Sequence, residues 1–230
     1  MIRFLGYILA LAVLGGLAYA ILTYGPKISQ QESPNIVETQ KDGTQINTEV
    51  VAEESAAYRI EVHYPQFGIS VIDAKIKAVV DRAVTAFKAY PANPPDSSVP
   101  QNEMTGSYDA LYMGGDAVSV RFSFSEYTGG AHPNTAIVGV NVDPKTGREM
   151  NLEDALAMIG LTLEQVATKS LTELNAKLGA SVIAPEGAAA KAENYSTFLV
   201  SKDKVTFVFQ NYQVAPYSSG PQEVSFARIK

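Results

Sequence analysis

The stretch VSVRFSFSEYTGGAHPNTAIVGVNV, residues 118–142, decides the fold because it places one shaped loop between two strand patterns. From Val118 to Ser125, apolar residues alternate with Ser and Arg, which is the period of a strand with one buried face. Residues 137–142 are apolar and β-branched, so they are expected to return into the same sheet. The loop between them, residues 127–135, contains two consecutive glycines and a His-Pro pair, which favour positive φ and an extended backbone respectively. The pattern predicts a polar loop of defined shape.

The remaining patterns predict an α+β fold, with an antiparallel sheet and two long helices packed on it. The first helix is expected to start at a capping box, Ser70–Asp73, and to stop before Pro91. Asn151 and Asp154 are expected to cap a short helix. The second long helix is expected to start at the box Thr162–Gln165 and to end at Gly179. Further strands are expected at 58–64, at 105–113 in a hairpin with 117–127, at 195–200 and 205–209 as a second hairpin, and at 223–229.

The N-terminal segment is apolar and uncharged from Phe4 to Leu22. About 19 residues nearly span a hydrocarbon core of about 30 Å as a helix, which predicts a transmembrane segment. Arg3 before it and Lys27 after it favour an N-terminus in the cytoplasm and a chain that continues outside. Ala18-Tyr19-Ala20 also fits a signal-peptidase site, so secretion after cleavage behind Ala20 is the alternative. Both interpretations export the folded part.

The chain is expected to be divided into four parts. Residues 1–24 are interpreted as the anchor or signal peptide. Residues 25–57 are rich in Gln, Glu, Ser, Thr and Asn and have no sustained period, which predicts a flexible stalk. Residues 58–142 and 143–230 are interpreted as two subdomains of the folded region.

Composition excludes several classes of function. The net charge is −6, and Lys and Arg do not cluster, which argues against a nucleic-acid partner. The absence of cysteine excludes disulfides, thiolate metal sites and a cysteine nucleophile. His63 and His132 are far apart and lack HExxH-like spacing, so neither a metal nor another cofactor is expected. His63 lies on the polar face of a predicted strand, where an exposed histidine is the expected interpretation.

Four motifs in a fixed order carry a resemblance to a known family. They are YTGGAHPN at 127–134, DPKTG at 143–147, the acidic helix start at 152–156, and APYSSGP at 215–221. With these, residues 58–230 resemble a family in which a PdaC-like deacetylase-associated subdomain, here 58–142, is followed by an RsiV-like C-terminal domain, here 143–230, the ectodomain of lysozyme-sensing anti-sigma factors. The resemblance implies an α+β fold in the bacterial envelope. It also implies lysozyme binding in the RsiV-like members, whereas neither a sigma-holding segment nor a deacetylase domain is expected here.

The loops 128–134 and 215–221 are the expected recognition surface, because loops on a rigid sheet commonly carry binding groups. The expected ligand-binding residues are Tyr127, Gly129, Gly130, His132, Asn134, Tyr212, Pro216 and Tyr217. In the alternative interpretation, the glycines and prolines only shape turns and the tyrosines pack over a sheet edge. His132 has two open roles: a hydrogen bond to a sugar or partner carboxylate, or one to the backbone of its own loop.

These observations favour a membrane-anchored extracytoplasmic binding module for a cell-wall hydrolase such as lysozyme or for a peptidoglycan-derived ligand. The acidic charge suits a basic lysozyme. A peptidoglycan-modifying enzyme or accessory domain is the alternative, with Glu126 and His132 as its one defensible pair. No nucleophile with an ordered base is recognisable, so no catalytic residue is assigned. A purely structural envelope protein is a third hypothesis.

Overall fold

Two sheets, each with its own helices and hydrophobic core, make up the part of the chain that the computed structural model describes, residues 46–93 and 98–229. The strands of the first sheet lie in chain order, and so do those of the second. The α+β prediction is confirmed. The elements are β1 (Asn47–Glu54), β2 (Tyr58–Gln66), α1 (Ser70–Lys88), β3 (Asn102–Met113), β4 (Val118–Tyr127), β5 (Asn134–Val142), α2 (Leu152–Ile159), α3 (Leu163–Leu178), β6 (Phe198–Val200), β7 (Lys204–Phe209) and β8 (Gln222–Ala227).

The first sheet, β1 to β5, buries one face under α1. Phe122 and Phe124 of β4 stack with ring centroids 5.4 Å apart, in the same core as Ile76 and Val80 of α1. The alternate residues of β4, such as Ser123, point to the opposite face, because successive strand side chains alternate between faces. The predicted hairpin β3–β4 and the return of β5 into the same sheet are both confirmed.

The direction of one strand pair contradicts the prediction of a single antiparallel sheet. β2 and β3 run parallel, so the first sheet is mixed, and β6, β7 and β8 form a separate antiparallel sheet. The parallel pair follows from α1, because parallel neighbours need a long crossover connection and a helix supplies it. The two predicted long helices exist, but they belong to different cores.

The predicted stalk, residues 25–57, is wrong over its last part. Residues Asn47–Glu54 form β1, which pairs antiparallel with β2 along eight residues from Asn47↔Gln66 to Glu54↔Arg59. Ile46 and Val51 pack against the first core. Residues 25–45 lie outside the described residues.

The helix ends test the predicted capping boxes. The boxes Asn151–Asp154 and Thr162–Gln165 are confirmed. In each, the side chain of the N-cap residue accepts from the backbone N–H of the third helical residue, whose own side chain accepts from the backbone N–H of the N-cap. Gly179 follows α3 as its C-cap with φ 55°. The box at Ser70–Asp73 is wrong. Ile69 is the N-cap of α1, and Asp73 accepts a hydrogen bond from the Phe67 N–H instead, at 2.7 Å.

The second core lies between the β6–β8 sheet and the helices α2 and α3, with contributions from the loop 179–195. Tyr195 was predicted to begin a strand, but it ends a short 3-10 helix and is fully buried. Its hydroxyl donates to the Ala188 carbonyl at 2.7 Å. The centroids of Phe207 and Phe209 lie 5.3 and 5.4 Å from the Tyr195 ring. Residue 195 therefore lies in the core as a buried, hydrogen-bonded tyrosine, and the strand begins only at Phe198.

A buried hydrogen-bond network joins the two sheets. Ser119 of β4 donates to Asn141 of β5 at 2.6 Å and accepts from the Val200 N–H of β6 at 3.0 Å. Asn141 in turn donates to the Phe198 carbonyl at 2.8 Å. Between them, Gly139 admits the Phe198 carbonyl so closely that a Cβ at this position would collide with it. We call Ser119, Asn141, Phe198 and Val200 the inter-sheet network.

None of the helices within residues 46–93 and 98–229 has the length and hydropathy needed to cross a membrane. The predicted transmembrane segment, Phe4–Leu22, lies outside these residues.

Candidate ligand-binding surface

The two loops expected to form the recognition surface lie side by side. One connects β4 to β5, and the other, residues 210–221, connects β7 to β8. Tyr217 Oη donates to the Pro133 carbonyl at 3.0 Å, and Asn211 Nδ2 donates to the Thr135 carbonyl at 3.1 Å. Residues about 80 positions apart in the sequence thus form one continuous surface.

Three aromatic rings meet where these loops touch. The rings of His132 and Tyr217 stack with centroids 4.1 Å apart and an interplanar angle of 26°. The Tyr212 ring lies beside the Tyr217 ring, with centroids 5.5 Å apart and an interplanar angle of 36°. We call His132, Tyr212 and Tyr217 the ring cluster. Two of its members, His132 and Tyr212, are exposed.

One carbonyl orients two of these rings. Pro133 O accepts from Tyr217 Oη and also pairs with His132 Nδ1, at 2.8 Å. A carbonyl only accepts, so Nδ1 of His132 must carry a hydrogen. In the neutral imidazole, Nε2 is then the acceptor. The backbone bond was one of the two roles left open for His132. It holds the ring in place and leaves Nε2 as an acceptor for a hydroxyl or N–H group.

Tyr212 has an unusual backbone. It is the one non-glycine residue with positive φ, 66°, in the described part of the chain. It lies in a turn closed by Gln213 N–H donating to the Gln210 carbonyl at 3.0 Å, at the position where Gly or Asn is preferred. The left-handed conformation costs about 1–2 kcal/mol for a residue with a Cβ. The Tyr212 side chain, 57% exposed, recovers little of that cost by burial.

The turn around Tyr212 is fastened from both sides. The Gln213 side chain accepts from the Gln210 N–H at 2.8 Å and donates to the Gly187 and Asn194 carbonyls at 2.9 and 3.0 Å. The Gln210 side chain accepts from the Ile137 N–H at 2.9 Å and donates to the Ile137 carbonyl at 2.8 Å. Gln210 therefore occupies the edge of β5 as a neighbouring strand would. These hydrogen bonds hold the backbone on both sides of Tyr212, and so they stabilise its strained conformation.

The other predicted residues are spread around this centre. Gly129 has φ 98°, and a Cβ there would come within 2.9 Å of Val99 and 3.3 Å of Asn93. Asn134 is exposed at the start of β5, and Tyr127 is half-buried at the end of β4. Pro216 precedes the short 3-10 helix that carries Tyr217. Gly130 is exposed and lacks the positive φ of its neighbour.

Glu126 and His132, the pair considered for catalysis, have different partners. The Glu126 carboxylate is hydrogen-bonded to the Tyr90 side chain at the end of α1, and burial raises its pKa above the ordinary value of 4.5. Because Glu126 alternates with Ser125, its side chain points to the helix-covered face of β4. His132 stacks on Tyr217 from the second sheet. The structure thus does not show these two side chains acting on one another.

Gln210 and Asn211 were not among the predicted site residues, although they begin the loop that carries Tyr212 and Tyr217. An amide directly after a buried strand is a weak sequence signal, since most such residues only end the strand. In the residues that the structure describes, no group of three His, Asp or Glu side chains is arranged to hold a metal ion.

Comparison with known protein families adds two matches along the chain. Residues 51–135 match the model described as deacetylase PdaC, and residues 157–228 match a protein of unknown function, DUF3298. The two models match successive parts of the chain, a PdaC-like region followed by a DUF3298-like region. His132 of the ring cluster lies in the region that matches the PdaC model, and both tyrosines lie in the region that matches the DUF3298 model. The RsiV-like assignment stays a prediction.

A curated relative spans both domains. The chain is 23% identical over 198 residues to the peptidoglycan-N-acetylmuramic acid deacetylase PdaC of Bacillus subtilis (strain 168). The match covers 84% of this chain and 42% of the relative, so the chain spans less than half the length of that protein.

Two solved structures are similar. A DUF3298 family protein from Pseudomonas aeruginosa PAO1 has 18% identity and a TM-score of 0.51, over 80% of this chain and 91% of that chain. A DUF3298 family member from Bacteroides fragilis NCTC 9343 has 17% identity and a TM-score of 0.49, over 80% and 90%. The Pseudomonas structure supports the fold alone.

Proposed function

We propose that this chain is a non-catalytic binding module of the cell envelope that recognises a peptidoglycan-derived ligand through the ring cluster. In this proposal residues 4–22 anchor the chain in the membrane, or are cleaved, and the two domains lie outside the cytoplasm. The observation that carries the proposal is an exposed tyrosine, Tyr212, held in a strained backbone beside two stacked rings. The name of the curated relative, a peptidoglycan deacetylase, supports this class of ligand.

The ring cluster has the properties of a binding surface prepared in advance. Aromatic side chains with two rotatable bonds offer a large contact area, and a ring already fixed loses little freedom when a ligand binds. Here Tyr217 and His132 are fixed by the Pro133 carbonyl. The face of a sugar ring is apolar and its edge carries hydroxyls, so it suits a tyrosine face bordered by acceptors such as His132 Nε2.

The structural alternative, in which the rings only hold the loops together, predicts a different outcome for Tyr212. Asn accepts the left-handed conformation more readily than Tyr, and the exposed ring contributes little burial. Tyr212→Asn is therefore expected to leave the melting temperature unchanged or slightly raised. If the ring binds ligand, the same variant loses affinity by about tenfold or more, because burial of a large side chain contributes about 1.5–3 kcal/mol and about 1.4 kcal/mol is tenfold.

The test is calorimetric titration of the full chain with soluble muropeptides. Wild type is expected to bind saturably and Tyr212→Asn to bind weakly, with equal melting temperatures. Tyr90→Asn is the control for affinity, because Tyr90 is also an exposed tyrosine but lies at the end of α1, where it bonds Glu126; its loss is expected to leave muropeptide affinity unchanged even if it lowers the melting temperature. The absence of muropeptide binding by folded wild-type protein would refute the proposed ligand, and equal affinity of Tyr212→Asn would refute the proposed site.

Lysozyme is a second candidate ligand because the net charge of −6 favours a basic protein partner. The same titration with lysozyme at low and high salt tests it. Association driven by charge weakens strongly with salt, because exposed charges are screened beyond about 8–10 Å at physiological ionic strength. Saturable, salt-sensitive binding that survives Tyr212→Asn would assign lysozyme to another surface, and no binding would remove it as a candidate.

A further inference from the structure

Beside the ring cluster, the face of the first sheet opposite α1 carries a row of hydroxyl side chains. Thr105 of β3, Ser125 of β4 and Thr135 of β5 are direct partners across the sheet. Residues paired in this way point to the same face. Neighbouring strands are about 4.8 Å apart, so the row extends about 10 Å. We call Thr105, Ser125 and Thr135 the hydroxyl row.

The row lies on the face of the first sheet opposite α1, on which the second sheet docks farther along β4 and β5, and not in the first core. Met104 and Phe124, which precede Thr105 and Ser125, are buried with α1, so the hydroxyl residues point the opposite way. Thr105 is exposed, and Ser125 and Thr135 are half-buried. Thr135 Oγ1 donates to Ser125 Oγ at 3.3 Å, which aligns the two hydroxyls.

The row is continuous with the ring cluster. Thr135 follows Pro133, which orients two of the rings, by two residues, and its carbonyl is held by Asn211, the neighbour of Tyr212. Asn211 Oδ1 is a buried acceptor without a hydrogen-bond partner among the described residues. Asn211 therefore links the end of the row to the turn that carries Tyr212.

At its other end the row meets a carboxylate. Glu61 of β2 is the cross-strand partner of Thr105, and His63 lies 3.0 Å from its carboxylate. Glu103, in β3, is exposed on the same face, where its direct cross-strand partner is the exposed Arg59. Carboxylates accept hydrogen bonds from sugar hydroxyls but repel anionic polymers. Neutral hydroxyls bordered by carboxylates that face Arg59 and His63 offer no excess positive charge to an anionic polymer, and so favour an uncharged, polyhydroxylated ligand.

A peptide ligand is less suited to this position. Extended peptides bind a sheet by adding a strand to a free edge. The nearest edge, that of β5, is occupied by the side chains of Gln210 and Asn211, which bond the backbone of Ile137 and Thr135.

We infer that the hydroxyl row extends the ring cluster into an elongated site for an uncharged oligosaccharide, a segment of glycan strand several sugars long. This inference rests on the proposed function, because it assigns the glycan part of peptidoglycan, and not its stem peptide, to that site. The rings hold one end of the ligand by stacking, and Ser125, Thr105 and Glu61 bond the hydroxyls of the sugars that follow.

The experiment measures the affinity of the full chain for N-acetylglucosamine oligomers of increasing length. Affinity is expected to rise with length until the row is filled. Thr105→Val removes one exposed hydroxyl and keeps the β-branched shape, so the fold is retained. It is expected to weaken binding of the long oligomers by about 3–10-fold, the range for one neutral hydrogen bond. Binding of the shortest oligomer should not change. Thr172→Val on α3 is the matched control.

The outcomes separate this inference from the proposed function. Saturable binding that does not increase with oligomer length, or equal loss for short and long oligomers in Thr105→Val, overturns the hydroxyl row and leaves the ring cluster as the site. Ser125→Ala provides a second variant with the same expectation. Binding of a stem peptide without sugar, at an affinity equal to that of the muropeptide, overturns the glycan assignment. No binding of any oligomer or muropeptide overturns both.

Discussion

Replacement of Ser119 by Ala tests whether the inter-sheet network stabilises the docking of the two sheets. Ser119 and Asn141 are 3% and 2% exposed, so their polar groups have little access to water. The substitution removes a single oxygen and creates almost no cavity. It leaves the Val200 N–H and Asn141 Oδ1 without the partners that Ser119 provides. Each buried polar group left unpaired costs about 1–3 kcal/mol, so the free energy of unfolding should fall by about 2–4 kcal/mol.

Thermal and urea unfolding of the full chain measure this loss. At about 2–4 °C per kcal/mol for a protein of this size, the melting temperature should fall by about 4–16 °C. Ser123→Ala is the matched control. Ser123 lies in β4 on the same face, is half-buried, and should change stability by no more than about 0.5 kcal/mol. Equal stability of the two variants would refute the reasoning, because it would show that the network does not hold the sheets.

Three further predictions concern other parts of the molecule. A chain that starts at Tyr58 loses β1 with the packing of Ile46 and Val51, and its free energy of unfolding, measured with urea, should fall by about 2 kcal/mol or more. An unchanged value would contradict the assignment of β1 to the sheet. Gly129→Ala places a Cβ at φ 98° and 2.9 Å from Val99, so a loss of about 1–2 kcal/mol is expected, and an unchanged melting temperature would contradict it. Burial raises the pKa of Glu126, so the stability present below its ordinary pKa of 4.5 is lost as pH rises through the folded-state value. Glu126→Gln should therefore gain stability relative to wild type as pH rises above about 4.5, and parallel melting curves would exclude this effect.

Local patterns predicted most of the elements, because each depends on residues close together in the chain. The β3–β4 hairpin follows from alternation on either side of a Gly-Gly turn, and both confirmed capping boxes lie within four residues. β1 was missed because it is an edge strand. Its sequence, NTEVVAEE, is mostly exposed and contains three glutamates, the composition with which edge strands avoid aggregation and which also predicts a linker. The parallel pairing of β2 and β3 was missed because the order of strands depends on contacts far apart in the sequence.

In the candidate surface, too, the sequence predicted local features but not the contacts between distant residues. The loops were recognisable from their Gly, Pro and Tyr residues, but their contact was not, since it depends on pairs such as Pro133 and Tyr217. The conformation of Tyr212 was not predictable either. Sequence reasoning assigns positive φ to Gly or Asn, and here the neighbouring glutamines impose it on a tyrosine.

The ring cluster depends on the docking of the two sheets along the whole length of β5. At one end of β5, Asn141 bonds the Phe198 carbonyl, and at the other end Thr135 and Ile137 are held by Asn211 and Gln210. Because bonds fasten both ends, the second sheet cannot slide along β5 without breaking buried hydrogen bonds, each costly to lose. His132 comes from one sheet and both tyrosines from the other, so the ring cluster exists only in the docked arrangement. A fragment limited to the region that matches DUF3298 would retain Tyr212 and Tyr217 but lack the Pro133 carbonyl that bonds Tyr217, and its affinity for muropeptides should fall even if it folds.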